Sequence, residues 1–69
     1  MGGLIIVNNL GQELAYDIGN NLYRIPPKSK LVIFLSPGRH NFSATVPGYN
    51  GKTGTAEIKE GFYHQQLWG

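Results

Sequence analysis

Apolar and polar residues alternate with a period of two along most of this chain. The runs are short, with turn residues between them at intervals of about eight to ten, the spacing of an all-β protein. Leu14, Tyr16 and Ile18 oppose Glu13, Ala15 and Asp17, and Phe42, Ala44 and Val46 oppose Asn41, Ser43 and Thr45. Gly54, Ala56 and Ile58 oppose Thr55, Glu57 and Lys59 in the same way. Leu4–Val7 is apolar throughout and reads as a strand covered on both faces or as a core strand. In Leu31–Leu35, Leu31, Ile33 and Leu35 oppose a second apolar set, Val32 and Phe34.

Seven strands are expected: Gly3–Asn8, Glu13–Ile18, Leu22–Ile25, Ser29–Leu35, His40–Val46, Thr53–Lys59 and Phe62–Trp68. Turn chemistry separates them. Gly11 is the expected positive-φ position of the first loop, and Gly19–Asn20–Asn21 is a hairpin signal. Pro26–Pro27 stops the third strand or confines it to an edge, because proline cannot donate to a ladder. Ser36–Pro37–Gly38–Arg39 has the residues of a type II turn. Pro47–Gly48 breaks the fifth strand, and Glu60–Gly61 turns the chain into the last. No stretch holds the 3.6-residue period of a helix.

These elements imply one domain over residues 1–69: antiparallel strands in an immunoglobulin-like two-sheet sandwich, with a small antiparallel β-barrel as the alternative. The expected core is Leu4, Ile6, Leu14, Tyr16, Ile18, Ile33, Phe42, Ala44, Val46 and Ile58. A chain of 69 residues buries only about 60% of its unfolded surface, and it has no cysteine to staple it.

Composition removes several classes. With 41% hydrophobic and 14% charged residues, the chain is too apolar and too weakly charged to be disordered. Its apolar runs are far shorter than the roughly 20 residues of a membrane span. MGG followed by LIIV lacks the basic and apolar regions of a signal peptide. The net charge is +2, spread without a basic cluster, which argues against nucleic-acid binding.

The run from Leu35 to Leu67 resembles the PEGA-type repeat of bacterial and archaeal surface proteins. Pro37, Gly38, His40, Pro47, Gly48, Tyr49 and Gly61 stand at the positions of that pattern. The first half is similar to the opening strands of small immunoglobulin-like or carboxypeptidase-regulatory-like domains. The resemblance implies a non-catalytic module in an extracellular or cell-envelope setting.

Candidate chemistry is sparse. His40 and His64 are the side chains that titrate near neutral pH, and a pairing of Ser43 with His40, with Asp17 as third member, has no supporting motif. Two histidines and four scattered acids match no metal pattern, and no cofactor is implied. Asn41–Phe42–Ser43 is a glycosylation triplet that falls inside a strand.

Aromatic residues point elsewhere. Tyr16, Tyr23, Tyr49, Phe62, Tyr63 and Trp68 exceed what so small a core can hide alongside Phe34 and Phe42, and aromatic rings concentrate at interface centres. Tyr23, Tyr49, Tyr63 and Trp68 are the candidate contact residues. Tyr63 and Trp68 are five apart, so they face opposite sides of the last strand. That strand has no proline and no acidic or basic residue, which leaves an adhesive edge. Phe62–Trp68 is therefore expected either inside a sheet or covered by a protein partner, a second copy foremost, with Trp68 at the contact. A carbohydrate stacked on exposed Tyr and Trp rings is the second reading. A small barrel binding nucleic acid, which would need Arg24, Lys28, Lys30 and Arg39 on one surface beside aromatics, is the third.

Overall fold

A computed structural model describes all 69 residues. It holds seven strands and no helix: β1 (Gly2–Asn8), β2 (Leu14–Ile18), β3 (Asn21–Ile25), β4 (Ser29–Leu35), β5 (Gly38–Thr45), β6 (Lys52–Ile58) and β7 (Tyr63–Trp68). They form a three-stranded sheet in the order β4-β1-β7 and a four-stranded sheet in the order β3-β2-β5-β6. The molecule is a two-sheet sandwich rather than a closed barrel. All pairings are antiparallel except one: β1 and β7 run parallel, from Gly3 beside Tyr63 to Asn8 beside Trp68. This pair corrects the expectation of uniformly antiparallel strands. The chain leaves the four-stranded sheet after β6, and β7 returns along β1 in the same direction.

Only β2–β3 and β5–β6 are hairpins; every other connection crosses between sheets. The first hairpin turns at Gly19 and Asn20, with φ of 58° and 66°, the left-handed pair a tight hairpin needs. In the second, Tyr49 N–H donates to Val46 O at 3.0 Å. Pro47 and Gly48 (φ 82°) occupy the central positions, as in a type II turn.

Two turn expectations fail. Gly11 does not have a positive φ. The first loop is instead organised by Asn8, whose Oδ1 accepts from Leu10 N–H at 2.9 Å. Ser36–Pro37–Gly38–Arg39 is not a type II turn but part of a crossover, because β4 and β5 lie in different sheets. Gly38 has a φ of 131°, far from the type II value, and already pairs with Ile58.

All ten expected core residues are buried, joined by Ile25 and Ala56. At the centre, Tyr16 and Phe42 stack at 5.3 Å, and Trp68 stands nearly perpendicular to both at 6.1 Å. Phe42 fits because its partner across the ladder is Gly54, where a Cβ would stand 2.8 Å from the ring.

The buried Tyr16 hydroxyl donates to Gln66 Oε1 at 2.8 Å, and burial pushes its pKa from 10.0 to about 12. The unfolded chain therefore loses this proton first. Stability should be level below pH 10 and fall between pH 10 and about 12, by on the order of 2–3 kcal/mol in total. Denaturant midpoints across that window should show a steeper decline than in Tyr16→Phe. Identical slopes would contradict the assignment.

Candidate functional site

The two sheets present opposite chemistries to solvent. The register sets which side chains point outward, since alternate residues share a face. On the four-stranded sheet the outward set is polar apart from Ala15 and the exposed Leu22 near the β2–β3 turn, with Asp17, Arg24, Arg39, Asn41, Thr55 and Glu57 among them. Arg24 bonds Glu13 at 3.1 Å, and Thr55 bonds Asn41 at 3.3 Å.

On the three-stranded sheet the outward set is mostly apolar. β4 contributes Val32 and Phe34, β1 contributes Ile5 and Val7, and β7 contributes Tyr63 and Leu67. Val32, Phe34, Tyr63 and Leu67 are 41%, 56%, 63% and 66% exposed. Gly3 lies between Phe34 and Tyr63 in the register, and its missing Cβ leaves room for the Tyr63 ring over the backbone. Tyr63 then meets Phe34 edge-on at 6.1 Å. Two polar residues complete the face: Gln65 beside Ile5, and Lys30 at the corner beside Val7. No carboxylate is among these outward positions. Contiguous exposed apolar faces of this kind are uncommon on monomeric proteins.

The four aromatics expected to make contacts do not converge. Tyr23 is half-buried against the core, and Trp68 is likewise turned inward. Trp68 belongs to the inward set of β7 because it lies an odd number of residues from Tyr63, so the expectation that it makes an outward contact is corrected. Its indole Nε1 is buried without a hydrogen-bond partner, and Lys52 Nζ stands 5.7 Å above its ring. Tyr49 is 67% exposed and shares a small depression with Trp68, Leu10 and Val46. Only Tyr63 lies on the apolar face. Val32, Phe34 and Leu67 were missed as contact residues, although the double apolar alternation of Leu31–Leu35 carried the signal.

The polar candidates separate too. Ser43 and Asp17 are cross-strand neighbours, while His40 lies on the other face of β5 and its Nε2–H donates to Ser36 O at 2.8 Å. No relay joins the three. His40 and His64 lie in different sheets, and no group of three or more His, Cys, Asp or Glu side chains is placed to hold a metal. The cations are dispersed: Arg24 is paired, Lys28 Nζ donates to Asn9 O at 2.7 Å, and Lys30 and Arg39 are on opposite sheets.

No helix is long and apolar enough to cross a membrane. Comparison of the chain with protein-family models, curated proteins and solved structures finds no significant match.

Proposed function

We propose that this protein is a non-catalytic β-sandwich module for protein–protein interaction, and that its working surface is the outward face of the three-stranded sheet. The observation that carries this reading is the contrast between the two faces. One sheet turns hydroxyls, amides and charges outward, and the other turns out Val32, Phe34, Tyr63 and Leu67. Leaving such side chains in water forgoes about 25 cal/mol for each Å² a partner would cover. The likeness of residues 35–67 to PEGA-type repeats supports an extracellular or envelope setting, where such modules serve interaction or spacing. A carbohydrate platform has less support, because Tyr63 and Phe34 meet at 66° rather than lying coplanar for a sugar ring.

The face can be tested with the dye 1-anilinonaphthalene-8-sulfonate, which brightens on exposed apolar surface. At low protein concentration the native domain should enhance its fluorescence. A Phe34→Ser, Tyr63→Ser double variant should lose most of that enhancement with unchanged circular dichroism. Equal fluorescence from both proteins would rule the face out as the working surface.

A further inference from the structure

We infer that the occupant of this face is a second copy of the same chain, packed face to face about a two-fold axis that runs across the strands through Ile5. The inference rests on the interaction reading above and names its partner.

Area and charge support it. The exposed parts of Val32, Phe34, Tyr63 and Leu67, with the flanking Ile5 and Val7, offer on the order of 500–600 Å². Two copies would together bury roughly 1,000–1,200 Å², the lower bound of specific interfaces. The dimer is therefore weak and concentration-dependent.

A two-fold interface must be complementary to itself, and the register shows how this one can be. Along β4 the outward order is Lys30, Val32, Phe34; along β7 it is Tyr63, Gln65, Leu67. An axis across the strands exchanges the ends of each strand. Lys30 then stands over Phe34 of the second copy, where an ammonium is attracted to the ring face. Tyr63 meets Leu67. Ile5, Val32 and Gln65 each meet their own counterparts, and paired amides can satisfy each other as donor and acceptor. The two Lys30 charges are kept at opposite corners. An axis along the strands would instead set Val32 against Gln65 and Lys30 against Leu67, leaving both polar groups unmatched. Packed sheets usually cross at about 30°, which changes these oppositions little near the axis.

Sedimentation velocity from about 10 to 500 μM, the range expected for so small an interface, should show the mass rising from monomer toward dimer. Phe34→Lys sets two cations against each other and should shift the midpoint at least about tenfold upward; Leu22→Lys, on the polar sheet's outer surface, should leave it unchanged. Because the chain has no cysteine, Val32→Cys can report the axis. Facing sheets stand about 10 Å apart, beyond the reach of a direct disulfide. A short bis-maleimide should therefore link two copies through this residue, while Leu67→Cys alone and Thr55→Cys should not link. A strict monomer over the whole range would overturn the inference, and undiminished dye binding by that monomer would leave the interaction face standing. Association unaffected by Phe34→Lys, or linkage through Thr55→Cys as ready as through Val32→Cys, would also overturn it.

Discussion

Truncating Phe42 to alanine should cost about 3–5 kcal/mol, a large part of the stability available to a domain of this size. Phe42 is 9% exposed, stacks on Tyr16 and stands nearly perpendicular to Trp68. The side across the ladder is Gly54, which has no side chain to collapse into the space. The cavity would therefore stay open, the condition under which truncation is most costly. Denaturant titration should find the midpoint displaced or the transition absent. Trp68 emission should shift to the red in step, because the indole loses a wall of its site. A variant that melts like the parent would show that Phe42 is not the keystone of this cluster.

Replacing Asn8 should be nearly as damaging, although it removes only polar atoms. Asn8 is fully buried at the inward end of β1. Its two Nδ2 hydrogens are shared among Gln12 O at 2.8 Å, Ile25 O at 3.0 Å and Pro26 O at 3.1 Å. It thereby ties the first loop to the end of β3, where the ladder stops at Pro26–Pro27. Asn8→Ala strands these acceptors and the Leu10 N–H, for about 3 kcal/mol in all. Asn8→Asp should be worse above the ordinary carboxylate range, because an ionised oxygen would face carbonyl oxygens in place of a donor. Melting temperatures at acidic and neutral pH should separate the two variants. Equal melting of Asn8→Asp and the parent at neutral pH would contradict this role.

The strands and the core were legible because alternation is a local property of the chain. Leu14, Tyr16 and Ile18 announce their shared face without reference to any neighbour. Sheet membership is not local. Ser36–Pro37–Gly38–Arg39 carries the residues of a type II turn, yet the chain uses it to cross between sheets: β4 ends beside β1 in one sheet, and β5 takes its place between β2 and β6 in the other. Asn8 read as the start of a turn, because a polar residue after an apolar run carries no sign of the carbonyls it will meet 17 and 18 positions later. The apolar face was half legible. The adhesiveness of β7 was plain in its composition, and the opposition of Tyr63 and Trp68 came from their spacing. Which of them faces outward depends on pairing with β1, and the partners Val32 and Phe34 come from a strand on the far side of β1.

The parallel pairing of β1 with β7 also fixes how the domain carries force. The two strands run side by side in one direction, so the chain enters β1 at one pole and leaves β7 at the other. A pull on these two ends acts along the strands and at right angles to the hydrogen bonds between them. The bonds spanning Gly3–Tyr63 to Asn8–Trp68 then share the load and yield together, whereas a hairpin pulled at its open end peels one bond at a time. β1 is held on its other flank by seven register pairs with β4, so it cannot slip without disturbing both ladders. Forced unfolding is governed by the barrier to leaving the native state, and a sheared pair of ladders places that barrier at the first displacement of the strands. The central and one edge strand of the three-stranded sheet thus make the domain stiffest along its own strands.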